Sequence, residues 1–122
     1  MSPAAKSVYY FGYYVILVGL TLIAVPNFLL ETLQMPTTNE VWIRIVGVLA
    51  FCIGYYYVQS GRVNNNPFFW ATVTMRIFVF IAFVLFALLK YVSPMLIVFG
   101  AIDLLGAIWT WSALRKTNVP VV

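Results

Sequence analysis

Four long apolar runs, separated by short polar connections, organise the chain: residues 8–30, 41–59, 68–89 and 95–114. Each is close to the ~20 residues that a helix rising ~1.5 Å per residue needs to cross the hydrocarbon of a bilayer. The punctuation between them fits helix ends. Asn66 before Pro67 and Ser93 before Pro94 each offer a capping side chain followed by proline at a first helical position. Thr37 to Glu40 matches a capping box, which starts the second helix near Thr38. Pro26, late in the first run, either kinks that helix or ends it and leaves a short interfacial extension. The first run is too long for a signal peptide and only Lys6 precedes it, so it is expected to be a mature helix.

Composition changes the solvent rather than the element list. The chain has 122 residues, of which 64% are hydrophobic and only 8% charged, too few polar groups to cover a water-soluble domain. Aromatic residues make up 18% and many lie near the ends of the runs, where amphipathic rings favour the headgroup layer. The chain is therefore read as an all-α membrane protein, a single integral domain forming an antiparallel bundle of four transmembrane helices, with the lipid bilayer as its first partner.

Charge and the metal-binding residue types exclude several functions. The net charge is +4, but the seven cations are scattered and form no basic run, which argues against nucleic acid. There is no histidine, and the lone Cys52 lies in an apolar run, so no metal site or metal-dependent cofactor is expected. No Gly-rich phosphate loop and no nucleophile with a histidine base is present, which leaves hydrolase and kinase chemistry without a foothold. Lys6, Arg62, Arg115 and Lys116 fall on one side of the runs and Lys90 alone on the other, so the positive-inside rule places both termini in the cytoplasm.

The informative residues are the charges inside the runs. Arg76 lies eight positions after Phe68, roughly 12 Å into the third helix. Asp103 lies eleven positions before Leu114, roughly 16 Å from the same side in the fourth. A charge at mid-membrane costs ~2.5–3.5 kcal/mol on insertion scales, and pairing is the cheapest relief. A buried, two-pronged Arg76–Asp103 ion pair is the expectation. It serves either as glue that selects the register of the two helices or as the lining of a polar cavity.

Gly100, Asp103, Gly106 or Ala107, and Thr110 recur at helical spacing and predict an inward stripe on the fourth helix. Glu40 and Arg44, four apart, predict a same-helix ion pair at the outer rim, as interfacial anchor or as the mouth of a pocket. Gly47, Gly54 and Gly61 are seven apart, as are Gly12 and Gly19, which predicts close helix contact. Tyr55, Tyr56 and Tyr57 point about 100° apart, so one of them, with Tyr56 the candidate for binding, turns toward the bundle while the others join the aromatic belt. With Tyr9, Tyr10, Tyr13 and Tyr14 they form either a belt alone or the wall of a site for a flat or isoprenoid ligand.

The segments EVWIRIVG (40–47), GYYY (54–57) and DLLGAIWTW (103–111) resemble a group of small four-helix bacterial inner-membrane proteins of unassigned function. In size and helix number the chain is also distantly similar to DoxX-like membrane proteins. The resemblance implies a compact inner-membrane bundle and carries no activity over to any residue. Taken together, the sequence points to a module that binds a lipid or hydrophobic ligand, or a partner, through Arg76, Asp103, Arg44, Glu40, Tyr56 and Thr110. A small transporter or channel component using the buried charges is the alternative, and an enzyme ranks behind both. Four helices enclose little volume, so a homo-oligomer or a larger membrane partner is expected.

Overall fold

The computed structural model describes residues 1–117. It contains five helices, α1 (Pro3–Ala24), α2 (Pro26–Thr32), α3 (Trp42–Arg62), α4 (Asn66–Leu88) and α5 (Met95–Lys116). All but α2 are long and apolar enough to span a membrane, and no strand occurs among the described residues. The all-α membrane bundle read from the sequence is the fold.

Pro26 ends the first span and starts a new helix. Val25 leaves helical geometry at φ −137°, and proline, lacking an N–H, occupies the first turn of α2. The break frees carbonyls at the end of α1, and the Arg44 guanidinium of α3 donates to one of them, the Ile23 oxygen. Arg44 is thereby drawn away from Glu40. The capping box does not form: the Thr38 hydroxyl accepts from the Glu40 amide at 3.1 Å as a local turn, and α3 begins only at Trp42, leaving Glu40 outside the helix. The expected Glu40–Arg44 pair is corrected on that ground, because the four-residue spacing brings side chains together only where both lie on one helix.

The other starts are close to the sequence reading. Asn65, one residue earlier than expected, caps α4 by accepting from the Phe68 amide at 3.3 Å, and the Ser93 hydroxyl accepts from the Met95 amide at 3.2 Å. Three helices end in left-handed residues that are not glycine: Gln34, Asn64 and Lys90, with φ of 57°, 56° and 63°. Each permits the backward bond of a Schellman turn, Met35 to Leu30, Asn65 to Ser60 and Tyr91 to Phe86.

The spans pack as two pairs. On α1 and α3 every inward glycine meets backbone of the opposite helix, and the pairs are reciprocal. A Cβ added at Gly12 would lie 2.9 Å from the Gly54 carbonyl oxygen, and one added at Gly54 2.8 Å from that of Gly12. Gly19 and Gly47 face each other in the same way, at 2.8 Å each. Gly61 closes the ladder against the Ala5 carbonyl, where the distance would be 2.9 Å. Side-chain-free positions repeated every seven residues on both helices let two antiparallel backbones touch along the whole span. The glycine hydrogens then face carbonyl oxygens, a weak but repeated attraction.

Helix α5 packs against α4 and touches α1, whereas α3 and α4 scarcely meet. The core sits toward the end that carries the N-terminus, built from Ala4, Ala5 and Val8 of α1, Phe69 and Val73 of α4, and Ala107 and Leu114 of α5. There the Ser2 hydroxyl caps α1 through the Ala5 amide and donates to Asn64 in the α3–α4 turn at 2.6 Å. Beyond Arg76 no residue of α4 is buried, so the α4–α5 hairpin stands free of α3 over its far half.

The glycine ladder generates a stability prediction. Gly54→Val forces a side chain into the α1 backbone and is expected to destabilise by about 1–3 kcal/mol. Gly100→Ala meets only side chains, those of Phe83 and Phe80, nearest atom 2.9 Å on the Phe83 ring, and is expected to cost less. Thermal unfolding in detergent micelles compares the two. Equal losses would show that α1 and α3 are not held by backbone contact.

Candidate binding site

Arg76 is 3% exposed, in the half of α4 that packs against α1 and α5. Its Nε donates to the Thr72 carbonyl at 3.2 Å, and its Nη2 donates to the Thr72 hydroxyl at 3.0 Å and the Thr110 hydroxyl at 2.9 Å. Thr110 is fully buried and links onward, within bonding distance of the Gly106 carbonyl (3.1 Å) and the Ser7 hydroxyl of α1 (2.7 Å). The guanidinium carbon lies 4.8 Å from the Phe11 ring centre and 5.8 Å from that of Tyr57, so α1 and α3 present aromatic faces to the same cation. Gly106 makes room for this arrangement: a Cβ there would come within 2.8 Å of the Phe11 ring and 3.1 Å of Arg76 Nη1.

The Arg76–Asp103 contact expected from the sequence is not formed, and no ion pair occurs among the described residues. The reason is directional. Side chains on a helix lean toward its N-terminus, and α4 and α5 run antiparallel. Arg76 therefore leans toward Thr72 and the C-terminal half of α5, where it meets Thr110. Asp103 leans the other way. Equal depth along two antiparallel helices brings Cα atoms level and separates the charged heads.

Both residues nevertheless line one cavity of about 430 Å³. All four spans contribute to it: Tyr14 and Val18 from α1, Ala50 and Tyr56 from α3, Met75 and Arg76 from α4, and Phe99 and Asp103 from α5. The lining is almost wholly apolar, and exposed Ile53 and Tyr56 on one side and Ala71 and Met75 on the other mark its mouth between α3 and α4. Among the described residues two polar groups on its wall carry buried atoms without a hydrogen-bond partner, Arg76 through Nη1 and Tyr14 through its hydroxyl.

The structure thus gathers Arg76, Asp103 and Tyr56 around one space and Thr110 behind it. Tyr56 stands at the mouth, 59% exposed, while its neighbour Tyr57 is the buried tyrosine of the run. Arg44 and Glu40 are elsewhere, at the break in α1 and in the loop before α3. Thr72 and Ser7 were not singled out in the sequence. Thr72 carries a usable signal, a hydroxyl four residues before a buried arginine; Ser7 carries none, because only the fold brings it to Thr110. Comparison with known proteins found no matching family model, no matching curated relative and no matching solved structure, so the reading of the site rests on its geometry.

The network predicts the effect of removing its central hydroxyl. Thr110→Val keeps the shape and leaves Arg76 Nη2 and Ser7 without that partner, an expected loss of about 1–3 kcal/mol. Thr110→Ser retains the oxygen and is expected to stay close to the parent. Unfolding midpoints in micelles read the difference, and a valine variant as stable as the parent would remove Thr110 from the guanidinium's support.

Proposed function

We propose that this bundle is an intramembrane binding module for a lipid-soluble molecule, which enters sideways from the bilayer between α3 and α4. One observation carries the reading: a cavity bounded by all four spans, within the ~300–1,000 Å³ typical of small-molecule sites, reaches from the unpacked α3–α4 seam to a buried arginine. Apolar walls favour a hydrocarbon body, and a few polar groups at the inner end favour a fixed orientation of its head. An intramembrane cation with spare hydrogen-bonding capacity has its natural use in recognition.

Solute conduction, the alternative, has less support. A conducting path calls for polar groups along its length, and here the lining is almost wholly apolar, with Arg76 and Asp103 its charged residues. The basic residues Lys6, Arg62, Arg115 and Lys116 stand at one end of the bundle, and by the positive-inside rule that end, with the N-terminus, is the cytoplasmic one. The resemblance to small bacterial inner-membrane bundles fits that placement.

Native mass spectrometry of the protein released from detergent micelles tests the binding. Bound amphiphile is expected as a discrete mass adduct on the parent and on Val48→Trp, whose position faces lipid away from the cavity. Ala50→Trp fills the cavity and is expected to lose the adduct while keeping the elution volume of the folded protein. Adducts that survive Ala50→Trp unchanged would place binding on the outer surface and end this reading.

A further inference from the structure

The inner end of the cavity bears on which head group it takes, and this inference rests on the binding reading above. Arg76 has five N–H donors, and the contacts at Nε and Nη2 use three of them. The two on Nη1 have no partner among the described residues, and the atom is covered by its neighbours, with Gly106 and the Phe11 ring packed beside it. Nη1 lies over Gly106, one helical turn along α5 from Asp103. The Asp103 carboxyl opens on the same cavity and makes no ion pair. An unpartnered donor just behind the cavity wall and a carboxylate that opens on the cavity therefore flank the same space without touching.

We infer that the cavity takes a neutral amphiphile bearing a hydroxyl group, which donates to Asp103 and, as the side chains that cover Arg76 Nη1 yield, accepts from that nitrogen. A hydroxyl is the smallest group that does both with one atom. It also preserves the electrical balance of the site. A carboxylate or phosphate satisfies the guanidinium but sets a second negative charge beside Asp103, and an ammonium satisfies Asp103 but repels Arg76 and offers no acceptor. An ester or aldehyde oxygen accepts from Arg76 and leaves Asp103 without a donor. The Tyr14 hydroxyl, on the same wall, is likewise unpartnered and covered.

A head-group series on one hydrocarbon body tests this with the parent protein in micelles, using farnesol, farnesal, farnesoic acid, farnesylamine and the hydrocarbon farnesene. Affinity is measured from the concentration dependence of the rise in unfolding temperature. Farnesol is expected to bind about tenfold or more tighter than farnesene, the worth of hydrogen bonds to charged groups, and tighter than the acid, the aldehyde and the amine. Asp103→Asn is expected to shift the order toward farnesoic acid, since the site then carries an uncompensated positive charge. Its elution volume and unfolding midpoint report whether that variant folds, and the series on the parent stands without it.

Equal binding of farnesol and farnesene overturns the hydroxyl assignment while leaving the apolar site intact. A preference for farnesal or farnesoic acid overturns it as well. No binding by any member, with no difference between the parent and Ala50→Trp, overturns the binding reading itself. Dioleoylglycerol in the same assay separates two sources of the hydroxyl: a shift as large as that from farnesol assigns it to a bilayer lipid, and a shift from farnesol alone assigns it to a single-chain alcohol. Both support the assignment.

Discussion

The bundle is arranged around one guanidinium that lipid cannot solvate. Placing Arg76 near mid-membrane costs several kcal/mol unless protein takes over the role of water. Two threonine hydroxyls and a carbonyl do this on one side of the group, and two aromatic rings cover its face. These partners come from all four spans. Thr72 is on the arginine's own helix, Thr110 on α5, Phe11 on α1 and Tyr57 on α3. The register of the four helices is thus tied at a single level, and the residues that make room there, Gly106 above all, follow from the size of the group they admit.

A second constraint acts along the length of α1 and α3 instead of at one level. Glycines at seven-residue intervals bring the two backbones together, so this pair is held without large side chains between them. The α4–α5 pair is different: bulky residues of α4, Phe69, Trp70 and Arg76, meet small ones of α5, Gly106 and Ala107, and the helices are free of α3 beyond that level. Joining a tight pair to a loose one through a single polar node leaves a seam on the side where neither constraint operates. That seam, between α3 and α4, is the mouth of the cavity. The opening is a consequence of how the spans are paired.

Most of the fold is legible in the sequence because length and apolarity alone define a membrane span. The heptad glycines also announce close packing, although spacing on each helix does not say which helices meet. What the sequence withholds is direction. Depth counted in residues puts Arg76 and Asp103 level and suggests an ion pair, but the lean of side chains toward each helix's own N-terminus reverses between antiparallel partners. The same counting placed Glu40 on a helix that begins two residues later, at Trp42. Gln34 and Lys90, left-handed without being glycine, show a related limit: a helix end held by its backward hydrogen bond needs no residue that advertises it. Ser7 became part of the node only through tertiary packing.

The separation of Arg76 from Asp103 gives the buried charges a use that a closed pair would not have. In contact, the two would satisfy each other and the site would be inert, a register pin and nothing more. Held apart by the lean of their helices, each keeps unused bonding capacity at the same laterally open cavity, and each still lowers the cost of the other's charge. A membrane interior offers few groups able to use that capacity, since lipid tails bring neither donor nor acceptor. The molecule that gains most from entering is one that carries both on an otherwise apolar body, and the lateral seam is the route by which such a molecule, already dissolved in the bilayer, reaches them.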